Sequence, residues 1–285
     1  MKSEDHMLNC ASDQGINYAS YPGCDKSNTC VVTNTDIYTI DRSIHDFKCI
    51  IFNNPIINNQ IPDGLFLAEK SKITHLHAKA VQISELKRSS FLNAPGLQSI
   101  SLRGNKIQRI KETVFYGARN IITLDLGDNE IAEFSSDAFD KLDHLEILDL
   151  SWNSITEIPF NLFEPLTNLV FLNLRHNHLT IRYGIFPEFV KSIDLSYNII
   201  DIHRKFKIFA LLNNLETLLL HGNKIQQIDP SIYDSNLKYL GLSDNHFTCH
   251  GLADVLLEMR RHNIITVFEN PKKSVSNIQG IDCLE

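Results

Sequence analysis

The sequence has no cysteine between Cys49 and Cys249; all six of its cysteines stand at or outside those two positions. No two of them form a C-x-x-C pair, so metal-ligand spacing is missing. An even number gathered at the two ends implies disulfide staples and an oxidising compartment. Glycine is scarce, at 12 of 285 residues. There is no phosphate-binding glycine loop, no G-x-S-x-G and no H-E-x-x-H, and the sequence predicts no catalysis. No run approaches the roughly 18–20 apolar residues of a membrane-spanning helix. Basic charge is also short: the net charge is −7, which excludes non-specific nucleic-acid binding and a polybasic membrane patch. The start, MKSEDHMLNC, is polar and unlike a signal peptide. Cysteine usage nevertheless implies a secreted protein whose leader is missing from this sequence.

What is present is a repeat. The pattern L-x-x-L-x-L-x-x-N-x-L reads Leu97, Ile100, Leu102, Asn105, Ile107 in one copy. Six further copies keep the asparagine, at Asn129, Asn153, Asn177, Asn198, Asn223 and Asn245. Two earlier copies are worn, with Val81 and Pro55 in the asparagine slot. The second apolar position marks the phase: Ile50, Leu76, Ile100, Leu124, Leu148, Leu172, Ile193, Leu218 and Leu240. The steps of 21–26 residues lie within the roughly 20–29 of leucine-rich repeats. Each L-x-L is a short strand with alternate side chains turned inward. The asparagine amide can serve backbone groups of its own and adjacent coils, forming a ladder. Val81 and Pro55 cannot, so the first coils are expected to be less regular. Phe91, Phe115, Phe139 and Phe163 recur every 24 residues as back-side core; Phe209 and Ile232 take that role later.

The expected fold is therefore an α/β solenoid: a leucine-rich repeat horseshoe with a parallel concave sheet and cysteine-stapled N- and C-terminal caps. Residues 1–46 form the N-terminal cap, 47–248 about nine coils, and 249–285 the C-terminal cap. Leu252, Val255, Leu256 and Met259 follow i, i+3, i+4, i+7 and predict a short closing helix. Cys249 and Cys283 would staple it. The remaining four cysteines allow three connectivities. Cys30 with Cys49 is favoured, because TCVVT reads as a cap strand beside the first repeat strand; Cys10 with Cys24 would follow.

The cysteine-bearing cap, the 24-residue coils with LDLSWN and LDLSYN turns and the NHFTCHGL closing segment resemble secreted leucine-rich repeat immune proteins of mosquitoes, the Anopheles Plasmodium-responsive group. The resemblance implies a haemolymph immune protein. It implies pairing with another leucine-rich repeat protein through a C-terminal coiled coil and disulfide, and a complement-like thioester protein as cargo. The sequence departs from that pattern in having no heptad region after Cys283, and reads as the repeat domain alone.

Positions between the strand leucines should face outward. The middle coils concentrate Asp125, Asp149, Trp152, Phe171, Arg175 and Tyr197, with Asp128, Ile147, His176 and Asp194 beside them. Exposed aromatics among mixed charges on a rigid sheet suit a protein-binding surface. Aspartate in L-D-L and an aromatic before the asparagine also have local structural reasons. His75 and His77 share a strand face, but Ser99, Ser101 and Lys79 supply no third ligand, so neither metal nor cofactor is expected. Three functions compete: a secreted immune-complex subunit, a pattern-recognition or receptor ectodomain for a microbial glycan or lipid, and a structural matrix module.

Overall fold

The structure is a computed structural model describing residues 7–8, 10–11, 20–32, 39–40, 44, 46–66, 71–181, 185–201, 209, 212–234, 236–269, 277–278 and 281–284. Residues 7–8, 10–11, 39–40, 57 and 234 are described by backbone only. The chain forms two compact units, residues 1–148 and 149–285.

Short strands sit where the repeat phase places them. In the first unit these are Cys49–Phe52, His75–His77, Ser99–Ser101 and Thr123–Asp125. Each pairs in parallel with the next, and the phase marks stand in register: Ile50 opposite Leu76, Leu76 opposite Ile100, Ile100 opposite Leu124. The strand Thr29–Val32 extends this ladder as a parallel neighbour of Cys49–Phe52, and Cys10–Ala11 adds an antiparallel edge. The strand Ile147–Asp149 lies at the unit boundary. In the second unit Phe171–Asn173, Ser192–Asp194, Thr217–Leu219 and Tyr239–Gly241 pair in parallel, and Ile265–Val267 continues them. That last strand carries no repeat signature and was not expected.

The leucines and isoleucines at the phase marks are fully buried. The asparagines act as the ladder requires. Asn177 donates to the Leu150 and Leu174 carbonyls, both at 3.0 Å, and accepts from the Ile155 N–H at 3.0 Å. Asn198, Asn223 and Asn245 repeat the pattern coil by coil. The worn coil is rescued by its neighbour: Asn105 accepts from the Val81 and Ile83 N–H groups and donates to the Ala78 carbonyl. Register therefore survives without an asparagine at 81. Behind the first sheet, Phe66, Phe91, Phe115 and Phe139 stack with centroids 5.3–6.3 Å apart. Phe163, Phe209 and Ile232 are buried in the second unit.

Helix α1, Cys249–Arg261, closes the last coil with Leu252, Val255, Leu256 and Met259 inward. Thr248 caps it, its hydroxyl accepting from the Gly251 N–H at 3.1 Å. Cys249 is bonded to Cys283, Cα to Cα 4.9 Å.

At the other end the expected pairing is wrong. Cys49 is bonded to Cys24, not Cys30, with Cα atoms 5.6 Å apart. The register explains why: Thr29 stands opposite Cys49 and Cys30 opposite Ile50. Alternate residues point to opposite faces, so Cys30 joins Ile50 in the core while Cys49 faces outward. The expected Cys10–Cys24 pair fails with it; Cys30 is also disulfide-bonded, and the Cys10 side chain lies outside the described residues.

Candidate functional site

The outward face of the first sheet is covered at its beginning. The segment bearing Tyr21, Gly23 and Cys24 lies over the strands Cys49–Phe52 and His75–His77. The Tyr21 ring meets His77 edge-on at 5.3 Å, and a Cβ on Gly23 would stand 2.1 Å from Nε2 of His75. Ile51 and His77, expected outside, are therefore buried. Neither ring nitrogen of His77 makes a hydrogen bond of good geometry; the Pro22 backbone offers a weak one. Burial first, then the charge of Lys79, pushes the His77 pKa down to about 4, against a smaller opposing influence from the Pro22 backbone. Ligand atoms of Cys24, Cys49 and His77 lie within 4.8 Å of one another. Both sulfurs are consumed in the disulfide and cannot ligate as thiolates.

Of the six residues singled out for binding, Asp125 lies in the first unit. It accepts from the Ser101 hydroxyl at 2.9 Å and from Arg103 at 3.3 Å. Asp149, Trp152, Phe171, Arg175 and Tyr197 lie in the second. The aspartates also act locally, on the backbone that follows them. Asp149 accepts the Ser151 N–H, and Asp194 the Ser196 N–H, both at 2.8 Å. These are Asx-turns that shape the exit from each strand.

The residue before each ladder asparagine has another constraint. Gly104, Asp128, Trp152, His176, Tyr197, Gly222 and Asp244 all have φ between 54° and 75°. Glycine enters this left-handed region freely, and aspartate and histidine more readily than most; other residues are strained there by roughly 1–2 kcal/mol. Trp152, His176 and Tyr197 occupy three successive rungs all the same. Their backbone N–H groups each donate to a carbonyl of the next coil, Arg175, Ser196 and His221. One rung per coil, about 4.8 Å apart, brings the rings face to face. Trp152 and His176 stack at 3.7 Å, and His176 and Tyr197 at 4.5 Å. Two such contacts offset about 1–3 kcal/mol, against roughly 2–4 kcal/mol of strain at Trp152 and Tyr197 alone. Nor do they offset the exposure of Trp152, at 52%.

Arg175 lies beside the stack, its guanidinium carbon 4.6 Å from the Tyr197 ring centre. Glu269, which follows the strand Ile265–Val267, grips it with both oxygens, at 2.6 and 3.0 Å. Asp194 is 3.9 Å away. Burial opposes the Arg175 charge, but the hydrogen bond and charge of Glu269 more than offset it and its pKa is raised. The same hydrogen bond lowers that of Glu269. His176 is held below the usual histidine range by burial and then by Arg175. His221 is also lowered, chiefly by burial; its Nδ1 accepts the Ser243 N–H at 3.1 Å and its ring lies against Gly241. Glu269 was missed from sequence because it lies beyond the repeats; His221 was not singled out, although it occupies the repeat position of Arg175, two residues before a ladder asparagine. Away from the sheet, Phe160 and Phe189 are exposed at 72% and 55% beside a hollow of about 360 Å³ also lined by Phe163 and Phe186. No repeat signal marks them.

Residues 71–131 and 119–179 match the family described as leucine rich repeat, and residues 156–253 match the BspA type leucine rich repeat region. The chain carries a leucine-rich repeat domain. Among curated proteins none matches it in sequence. Solved structures with this fold include a chain of the Drosophila Toll–Spatzle complex, at 21% identity and TM-score 0.68, covering 77% of this chain and 31% of that one. A chain of the octameric complex of Latrophilin 3, Unc5D and FLRT2 matches at 18% identity and TM-score 0.62, covering 90% and 83%. A chain of the mouse RP105/MD-1 complex matches at 19% and 0.66, covering 81% and 44%. The repeat domain thus spans about a third of the length of the Toll-complex chain. At these identities the likeness shows the fold alone. Among the described residues no helix is long and apolar enough to cross a membrane.

Proposed function

We propose that this leucine-rich repeat domain is a non-catalytic protein-binding module of a secreted innate-immune protein, and that the outward sheet face of residues 149–285 is its docking surface. The observation that carries this is the stack of Trp152, His176 and Tyr197 in left-handed rungs, where glycine would be unstrained. An exposed, pre-stacked aromatic surface lowers the solubility of a free protein and becomes favourable when buried against a partner. Phe171 and Arg175 adjoin it on the neighbouring strand and turn. Disulfides at both ends support an extracellular setting. The finer reading rests on the family resemblance: a haemolymph protein that joins a second leucine-rich repeat protein and holds a complement-like thioester protein. The test is capture of partners from the source organism's extracellular fluid by the wild type and by Trp152→Ala. Truncating a central interfacial aromatic should weaken binding by about 2 kcal/mol or more, roughly thirtyfold, with unchanged melting. Equal capture by the folded variant refutes the surface. Loss of a glycan or lipid ligand in place of a protein would support the receptor-type alternative.

A further inference from the structure

The two sulfurs of the Cys24–Cys49 bond are kept neighbours by more than the bond itself. The loop that carries Cys24 is held by its own backbone. The Cys24 N–H donates to the Tyr21 carbonyl at 3.1 Å, and one oxygen of Asp25 accepts the Ser27 and Asn28 N–H groups at 2.8 and 3.1 Å. The Asn28 carbonyl accepts in turn from the Lys48 and Cys49 N–H groups, both at 3.0 Å. Gly23, at φ +83°, lets the loop lie against the His75 ring. Hydrogen bonds thus tie Cys24 to the strand that carries Cys49.

A third donor group stands beside them. Cys49 is opposite His75 and Ile51 opposite His77, so Cys49 and His77 turn to the same face. Ligand atoms of Cys24, Cys49 and His77 lie within 4.8 Å of one another. His77 is only 2% exposed and makes no hydrogen bond of good geometry. Burying an imidazole in this way costs about 1–3 kcal/mol, a cost a leucine would not carry. The disulfide form holds no hydrogen bond that returns it.

Two thiolates and a neutral imidazole are donors that zinc takes, in a tetrahedron at roughly 2.0–2.3 Å. Calcium and magnesium take oxygen instead. The charge fits as well. A divalent ion with two thiolates sums to zero, and a buried site tolerates a neutral complex far better than a charged one. Burial and Lys79 keep His77 unprotonated at pH 7, the form that ligates.

We propose that Cys24, Cys49 and His77 bind one zinc ion when the Cys24–Cys49 bond is reduced, and that the ion then holds the cover in place of the disulfide. The reductant is a dithiol. It is oxidised to a disulfide as both cysteine sulfurs become thiols, and zinc displaces their two protons to solvent. Reoxidation of the thiols releases the ion. Three protein ligands leave a fourth position to water. The inference is independent of the reading that residues 149–285 dock a protein.

The full chain is reduced with a dithiol, freed of it without air, and titrated with Co2+, whose tetrahedral thiolate complexes absorb visible light. Visible absorption is expected, displaced by Zn2+ and missing from the oxidised chain. Alkylation of Cys24 and Cys49 is then followed site by site in mass spectrometry, with and without Zn2+, and the ion should slow both. His77→Phe loses a ligand. Its zinc affinity should fall by more than the roughly tenfold to hundredfold lost when a ligand's hydrogen-bond partner is removed, and its thiols should lose their protection. No visible absorption from the reduced wild type overturns the proposal. So does equal alkylation with and without Zn2+, or undiminished protection in His77→Phe. Should that variant fail to fold, the wild-type alkylation rates decide alone.

Discussion

The ring of Tyr197 lies where a side chain on Gly222 would have to be: a Cβ there would stand 2.4 Å from Cδ1 of the tyrosine. Gly222 occupies the next left-handed rung, with φ +61°. The glycine therefore makes room for the last ring of the stack. Gly222→Ala should displace Tyr197, strain the backbone and cost about 1–2 kcal/mol. Denaturant unfolding checks the loss. The emission of Trp152 should shift as well, because the stack relaxes; an alanine variant with unaltered stability and emission would contradict the packing.

The asparagine ladder makes a larger prediction. Asn177 serves the Leu150 and Leu174 carbonyls and the Ile155 N–H inside the protein. Asn177→Ala strands the Ile155 N–H, while the Leu150 and Leu174 carbonyls keep their bonds from Asn153 and Asn198. A buried unsatisfied group costs about 1–3 kcal/mol, and a loss of that size is expected, with hydrogen exchange rising first around residues 148–179. A change below about 1 kcal/mol would mean that the ladder is not what holds the coils.

His77 predicts a pH dependence. Its folded pKa lies near 4, below the ordinary 6.5, so the unfolded chain takes up a proton that the folded chain resists. Stability is full above about pH 6.5, falls as the pH drops, and is lost by on the order of 3 kcal/mol once the pH passes below the folded value. His75, lowered by burial, acts in the same direction. His77→Phe keeps the edge contact with Tyr21 and removes the titration. Urea midpoints at pH 7 and pH 4.5 should converge in this variant relative to the wild type; an undiminished gap would contradict the assignment.

The Cys24–Cys49 bond holds the cover over both histidines. Replacing both cysteines by serine should cost about 2–4 kcal/mol. Because coils contact only their neighbours, exchange should rise in the strands 49–52 and 75–77 while residues 215–245 stay protected. Uniform loss of protection along the chain would contradict this.

The coils were legible in the sequence because their determinants are local. A leucine every two or three residues and an asparagine three after the last fix strand, turn and phase within one coil, and the strands fall on the phase marks from Ile50 to Leu240. The aromatic column was visible for the same reason: each ring precedes a ladder asparagine. Three features were not legible. The disulfide partner of Cys49 depends on strand register, where a single-residue offset turns Cys30 into the core. The cover over His77 comes from the aperiodic segment around Tyr21 and Cys24. The Arg175–Glu269 pair joins residues 94 apart, and no repeat relates them.

The docking surface is tested most directly by hydroxyl-radical footprinting of the full chain, free and in complex with its captured partner. Trp152, freely oxidised alone, should become protected on binding together with Phe171 and Tyr197, while Phe160 and Phe189, away from the sheet, keep their rates. Protection of Phe160 and Phe189 with Trp152 unchanged would contradict this and move the docking surface to the back of the coils.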